Sequence, residues 1–280
     1  MMRCKTLILL AIPALACFPL IAKANTINLG TAGNFAVLAG TTVTNTGSSV
    51  INGGGVGVSP GTAITGFSPG TVASPYTTHS NDAAAIQAQE DLTAAYNTAA
   101  GLAPTQTLTG HDLGGMTLTP GVYFFSSSAS LTGTLTLNDQ NNPNAQFVFQ
   151  IGSTLTTATS STVTTINGGS KPGSSVFWQV GSSATLGTST AFEGHILANT
   201  SITLDTGANI IGGSALARNG AVTLDGNNIT NSVSSVPQPS TIMLFLFGGA
   251  LLGLPTIGKR VRGFCPTKKL GNRSRPGGHQ

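Results

Sequence analysis

The pentapeptide Phe149-Gln150-Ile151-Gly152-Ser153 returns as Trp178-Gln179-Val180-Gly181-Ser182, and each copy runs on to a Thr-Leu pair. That pair stands at Thr154-Leu155 and Thr185-Leu186, recurs at Thr203-Leu204 and Thr223-Leu224, and occurs earlier at Thr134-Leu135. The steps from Leu186 to Leu204 and on to Leu224 are 18 and 20 residues. This is the length of one turn of a three-sided parallel β-helix, whose turns point Leu, Ile and Val inward and stack at about 4.8 Å. A single turn cannot bury its own apolar side, so such a chain folds only as a stack. The step from Leu155 to Leu186 is 31 residues, and an extra strand over 161–166 with a loop over 167–173 is expected to fill the excess. The solenoid is therefore irregular.

One segment breaks the pattern. Residues 80–100 are Ala-rich and read as a helix, with Ile86, Leu92 and Tyr96 expected on one face. Ser80 or Asn81 is expected to cap its start, Asp82 to complement its dipole, and Gly101 to end it in a left-handed conformation. This helix is expected to lie along one face of the solenoid as a strut.

The two ends of the chain distort its bulk composition. Residues 1–24 read as a secretory signal: Arg3 and Lys5, an apolar run from Leu7 to Ala22, then Ala22-Lys23-Ala24 as a small–x–small cleavage site. At the other end, Val236-Pro237-Gln238-Pro239-Ser240 leads into an apolar run from Thr241 to Ile257, followed by Lys259-Arg260-Val261-Arg262. That run is just long enough to span a bilayer, with its basic cluster on the far side. Residues 236–262 resemble the PEP-CTERM sorting signal of bacterial surface proteins, with Gln238 in place of the usual Glu and an eighteen-residue basic tail, 263–280, beyond it. The resemblance implies a membrane or a sorting protease as partner for this segment; a plain single-span anchor is the other reading. The chain is thus expected to be secreted or anchored at the cell surface.

Between these ends, residues 25–235 carry Lys171 and Arg218 as their only cations, against all eight carboxylates of the chain. The domain is acidic, and the overall net charge of +4 belongs to the termini. No basic patch exists for phosphates, which argues against nucleic acid as a partner. Cys4, Cys17 and Cys265 all lie in the end segments, so the domain has neither a disulfide framework nor a thiolate metal site. Packing and hydrogen bonding must hold it together.

A longer set of strings identifies the domain further. Gly57-Val58-Ser59-Pro60-Gly61-Thr62-Ala63-Ile64-Thr65-Gly66-Phe67, Ala94-Ala95-Tyr96-Asn97, Leu118-Thr119-Pro120-Gly121-Val122-Tyr123 and Ala145-Gln146-Phe147-Val148-Phe149-Gln150 occur in that order. They are followed by Val176-Phe177-Trp178-Gln179-Val180-Gly181-Ser182-Ser183-Ala184-Thr185-Leu186-Gly187 and Leu216-Ala217-Arg218-Asn219-Gly220-Ala221-Val222-Thr223-Leu224. From about residue 28 to 230 the chain resembles the microbial ice-binding (antifreeze) β-solenoid family. The resemblance implies an all-β fold: a discontinuous, right-handed, three-sided β-helix with one long α-helix packed alongside. It also implies that the partner is the surface of an ice crystal, met by a monomer.

Enzyme chemistry finds little support. Asp205 and Asp225 follow their Thr-Leu pairs one coil apart, but the aligned positions Gly187 and Thr156 add no third carboxylate for a cation or an acid/base pair. His79, His111 and His195 lack metal-ligand spacing. Gly53-Gly54-Gly55 lacks the Lys and following helix of a phosphate loop. Trp178 reads as core. The chain is expected to be no enzyme and to need no cofactor or metal.

The threonines remain. Thr suits any outward strand position, so two ladders compete. The first, just before the inward Leu, holds Thr154, Thr185, Thr203 and Thr223, followed on the same side by Thr156, Gly187, Asp205 and Asp225. Its carboxylates bind liquid water strongly, and this side is expected to face solvent. The second, just after the Leu, holds Thr157, Thr188 and Thr206, then Thr159, Thr190 and Ala208, then Ser160, Ala191 and Asn209. It is small and uncharged, and Thr206-Gly207-Ala208-Asn209 fits the Thr–Ala/Gly–x–Thr/Asn pattern of ice-binding faces in the family it resembles. Thr157, Thr159, Thr188, Thr190, Thr206, Ala208 and Asn209 are therefore the expected ice face. The alternative is a structural or adhesive surface solenoid without ice activity.

Overall fold

The computed structural model describes residues 26–168, 173 and 175–232. The expected leader 1–24, the C-terminal segment 236–262, the tail 263–280 and Lys171 lie outside the described residues.

Three sheets of nine, seven and eight strands form the sides of a solenoid. They are called sheets 1, 2 and 3 in that order. Each complete coil gives one strand to each sheet. Phe147–Ile151, Leu155–Thr157 and Thr162–Ile166 make one coil, and Val176–Val180, Ala184–Leu186 and Ala191–Glu193 the next. His195–Ala198, Ile202–Leu204 and Asn209–Ile211 follow, then Ala215–Ala217, Val222–Asp225 and Asn228–Thr230. Neighbouring coils pair in parallel, for example Phe149 with Trp178 and Leu186 with Leu204. Thr162–Ile166 is thus the regular third side of its coil, paired with Thr134–Asn138 and not an insertion; the excess length lies in the loop that follows it.

The stack is discontinuous in sequence. The first coil, Phe35–Ala39, Thr42–Thr46 and Val50–Asn52, sits on the last one, with Val37 beside Ala215, Thr44 beside Thr223 and Ile51 beside Ile229. Gly55–Val58, Ala63–Thr65 and Thr71–Val72 add another layer. The chain must then return to the opposite end, where Gln106–Thr107 pairs beside Gly121–Phe125. Helix α1, Ala83–Ala100, makes that journey. At about 1.5 Å per residue its 18 residues span roughly 27 Å, between five and six strand spacings.

The helix starts at Ala83, not at 80, and neither Ser80 nor Asn81 caps it: Asp82 is the N-cap, its side chain accepting from the Ala85 amide at 2.9 Å. Ile86 is exposed, because six residues carry it off the face of Leu92 and Tyr96. That face is built instead from Ala85, Ala88, Leu92, Ala95, Tyr96 and Ala99. Gly101 has φ −87° and is not left-handed; its amide bonds back to Asn97 at 3.0 Å.

From Gly55–Val58 across to Phe147–Ile151, sheet 1 is buried on both sides. Its inward residues stack through the solenoid, with Phe149 and Trp178 at 3.8 Å and nearly parallel, a pairing that adds about 0.5–1.5 kcal/mol to burial itself. Its outward Leu38, Val148, Phe177, Leu197 and Leu216 pack under α1. Gln150, from the repeated pentapeptide, satisfies the helix C-terminus by donating to the Ala99 and Leu102 carbonyls at 2.7 and 2.8 Å. Arg218 lies 4.5 Å above the Tyr96 ring and donates to the Asn199 side chain at 3.1 Å. With sheet 1 covered, sheets 2 and 3 are the faces left outward.

Candidate functional site

Sheet 2 sets one hydroxyl on every rung. Its middle outward position is Ser130, Thr156, Thr185, Thr203, Thr223, Thr44 and Thr65 in consecutive strands, all in register. Each is exposed or half-exposed, while the residues on either side in the strand point inward, as with Ala184 and Leu186 around Thr185. At about 4.8 Å per strand the column runs roughly 29 Å. A second column stands two residues earlier, where Ala129 donates to the Thr154 carbonyl, Leu155 to that of Ser183, Ala184 to that of Ser201 and Ile202 to that of Ala221. In it, Ser128 and Thr154 hydroxyls lie 2.8 Å apart.

The far end of this face is closed by Asp112, which bridges to Ser130 where the next rung would lie. Its carboxylate accepts from the Ser130 hydroxyl at 2.7 Å, the Thr132 hydroxyl at 3.1 Å, and the Gly114 and Thr132 amides at 2.7 and 3.0 Å. Desolvation pushes this carboxyl upward, but the hydrogen bonds outweigh it and hold it below its ordinary value. On the side toward sheet 3, Asp205 and Asp225 border the face, and the Thr206 hydroxyl donates to Asp225.

The expected ice face is divided by this register. Thr157, Thr190 and Ala208 are buried in the corner between sheets 2 and 3 and cannot touch a crystal. The Thr157 and Thr190 hydroxyls meet at 2.9 Å, and Thr157 accepts from the Gly187 amide at 2.9 Å. The carbonyl of Ala208 accepts from Asn227 at 2.7 Å. Thr159, Thr188 and Thr206 remain exposed at the corner, and half-exposed Asn209 opens a strand of sheet 3.

The cause is a two-residue slip. Leu155 pairs with Ala184, not Leu186, so Thr157 occupies the inward place where an apolar residue was expected. Leu-to-Leu spacing therefore aligns Thr185, Thr203 and Thr223 with Thr154, whereas the strand register aligns them with Thr156. Thr44 and Thr65 were missed because the first coil stacks on the last. The apolar–Thr alternation of Val43-Thr44 and Ile64-Thr65 was the available signal.

Two of the histidines are occupied structurally. His79 bonds to Asp82 at 2.8 Å at the helix start, and His195 to Ser214 at 2.8 Å in the interior. Among the described residues no group of three His, Cys, Asp or Glu could hold a metal ion.

A family model described as "Ice-binding-like" matches residues 37–230. The chain belongs to this family. It is 54% identical over 257 residues to an ice-binding protein of Nostoc sp. (strain HG1), covering 89% of this chain and 93% of that one. Among solved structures, an ice-binding protein from an Antarctic biological consortium superposes with a TM-score of 0.69 at 48% identity, covering 73% of this chain and 91% of that one. The ice-binding protein of the Antarctic ascomycete Antarctomyces psychrotrophicus superposes with a TM-score of 0.70 at 40% identity, over 75% and 100% of the two chains. The family is thus shared by sequence and by fold.

Proposed function

We propose that this chain binds ice, as a monomer and without cofactor, through the outward face of sheet 2. The observation that carries the reading is the seven-rung column from Ser130 to Thr65, fixed in register by the ladder of parallel strands. Each Thr offers a hydroxyl that holds a water and a methyl over which waters close. A single such contact is weak, and ordering a loose surface would cancel it. Here the rungs are immobilised before contact, by a core that includes Trp178, Phe149 and Phe192. Waters ordered along the column can then join the lattice, and growth between adsorbed molecules is slowed.

The test is thermal hysteresis and ice-recrystallisation inhibition by the purified protein and by Thr203→Tyr. The ring stands above the row and holds its neighbours off the crystal. Most activity should go while the melting temperature stays within about 2 °C, since an exposed substitution changes stability by under about 0.5 kcal/mol. An inactive wild type would leave the adhesive or structural solenoid as the reading; an undiminished Thr203→Tyr would exclude this face.

Residues 1–24 export the chain, residues 25–235 fold by themselves, and residues 236–262 hold it at a membrane or deliver it to a sorting protease. These assignments rest on the sequence patterns. Cells expressing the full chain and a form ending at Ser235 should differ in how much protein reaches the medium; equal release would remove the anchoring assignment.

A further inference from the structure

The strand Thr78–Ser80 is the end strand of sheet 1 and pairs with Gly55–Val58. Beside it opens a cleft of about 320 Å³. Phe35, Pro75 and Tyr76 give it apolar walls, and Thr77, His79 and Gln87 line it with polar groups. Alternation along an extended chain puts the side chains of Thr77 and His79 on one side, and the Thr77 hydroxyl lies 3.2 Å from His79 Nε2. The other ring nitrogen, Nδ1, lies 2.8 Å from Asp82 Oδ2. A carboxylate only accepts, so in the neutral imidazole Nδ1 carries the proton and donates to Asp82. Nε2 then offers its lone pair, and the Thr77 hydroxyl donates to it.

A hydroxyl, an imidazole and a carboxylate thus stand in series, each within hydrogen-bond reach of the next. This order turns an alcohol into a nucleophile. Capping of α1 does not require it: Asp82 Oδ1 alone accepts the Ala85 amide, Oδ2 holds the imidazole, and Thr77 lies outside the helix altogether. The Phe35 ring packs edge-on against the imidazole, with centroids 5.3 Å apart and planes at 73°, and so fixes its tilt. The backbone adds a donor. The Thr77 carbonyl accepts from the Val56 amide at 3.1 Å and the Asn81 amide donates to the Val58 carbonyl at 2.8 Å, so residues 77, 79 and 81 turn their backbone groups toward the neighbouring strand. The Thr78 amide, next in the chain after the hydroxyl, therefore points to the free edge of the sheet.

We propose that this cleft is a catalytic site that hydrolyses small carboxylic esters, with Thr77 as nucleophile, His79 as general base and then acid, and Asp82 as the positioning residue behind it. It lies apart from sheet 2 and does not depend on the ice-binding reading. The Thr77 oxygen attacks the ester carbonyl carbon while its proton passes to Nε2, and the Thr78 amide meets the oxyanion that forms. The bond from the carbonyl carbon to the leaving oxygen then breaks, the alcohol departs with the proton from Nε2, and an acyl-threonine remains. Water attacks this ester in turn. Its proton passes to Nε2 and on to the departing Thr77 oxygen, which is restored as a hydroxyl while the free acid leaves. The size of the cleft and its Phe35, Pro75 and Tyr76 walls suit a short acyl chain or a single ring.

The probe is p-nitrophenyl acetate. Full-length wild type, Thr77→Val, Thr77→Ser, His79→Gln and Asp82→Asn are prepared identically and nitrophenolate release is followed. Wild type should turn over repeatedly, and after an early acid quench mass spectrometry should find acetate on Thr77. Thr77→Val and His79→Gln should each lower kcat/KM by about 100-fold or more, the range that general-base help supplies. Thr77→Ser keeps the hydroxyl and should retain the activity. Asp82→Asn still caps the helix and should lower kcat with little change in KM. Thr77 is exposed, so its variants should melt within about 2 °C of wild type. The proposal is overturned if wild type releases nitrophenolate no faster than buffer, if folded Thr77→Val hydrolyses as fast as wild type, or if the acetate accumulates on another residue.

Discussion

The hydroxyls of Thr157 and Thr190 meet at 2.9 Å in the buried corner between sheets 2 and 3, thirty-three residues apart in sequence. Thr157 also accepts the Gly187 amide at 2.9 Å, and Thr190 donates to the Ala158 carbonyl at 3.2 Å. These two side chains do for the corner what the strand ladder does for the sheets. Thr157→Val keeps the shape but leaves the Gly187 amide without its acceptor, a loss of about 1–3 kcal/mol. The melting temperature should fall by several degrees. Thr157→Ser, which restores the acceptor, should recover most of that loss. A Val variant as stable as wild type would mean the corner is held by packing alone.

Gln150 makes a contrasting prediction. Its amide serves the open carbonyls at the end of α1 from a strand on the opposite side of the solenoid wall from sheet 2. Gln150→Ala strands those acceptors in a buried place and should cost about 1–3 kcal/mol. Thermal hysteresis is measured near 0 °C, far below melting, and should be unchanged per folded molecule. Loss of activity in step with stability would show that the helix strut controls the geometry of the sheet 2 face.

Why the sequence exposes some of this and hides the rest follows from particular residues. The repeated pentapeptide is legible because Phe149 and Trp178 are stacked neighbours on adjacent rungs, so the repeat in sequence is a contact in space. The three-sided, helix-strutted architecture was readable for the same reason, and the solenoid of three parallel sheets with one helix bears it out. The choice of face was harder. A buried Thr and an exposed Thr are the same letter, and only the partner identifies them. Thr157 faces inward because Thr190 and Gly187 satisfy it, and Thr190 lies one coil further on. Leu-to-Leu alignment had no means to anticipate a polar pair inside the wall. The discontinuity is invisible locally too: Thr44 lies beside Thr223, and nothing in either neighbourhood specifies that a coil from one end of the chain completes the stack at the other.

Two sets of carboxylates have opposite dependence on pH. Asp82, by the Ala85 amide and His79, and Asp112, whose bonds from Ser130, Gly114 and Thr132 outweigh desolvation, are held below the ordinary Asp value of 3.8. Their contribution is complete above that value and disappears as pH falls through their lower folded values. Glu193 is pushed above its ordinary 4.5 by burial, partly offset by the Thr165 amide at 2.8 Å. Its ionisation disfavours the fold progressively as pH rises from 4.5 through its folded value. Melting temperature followed against pH should therefore be higher for Glu193→Gln than for wild type at pH 7, with the two converging below about pH 4. Asp112→Asn should lose part of the wild-type drop in acid. Parallel curves for Glu193→Gln and wild type across the whole range would refute the burial argument.

Asp205 is the sharpest test of what kind of surface sheet 2 and its corner form. It sits two residues past Thr203, half-exposed, at a position where one neighbouring coil carries Gly187 and the other Asp225. Its backbone is committed to the turn, with its amide donating to Leu186 and its carbonyl accepting from Ala208, both at 2.9 Å. The side chain can thus be changed without disturbing the fold. Ice excludes counter-ions, so a carboxylate pressed against it surrenders hydration that nothing replaces, at a cost of several kcal/mol if the contact is close. Asp205→Asn removes the charge at nearly constant shape and should raise thermal hysteresis. Asp205→Glu should behave like wild type, and Asp205→Lys should gain nothing, because either sign of charge meets the same desolvation. All three should melt within about 2 °C of wild type, as befits a half-exposed side chain at the surface. If Asn lowers the activity while Lys or Glu preserves it, the charged side chain is itself part of the contact, and the neutral-surface account of this face is wrong.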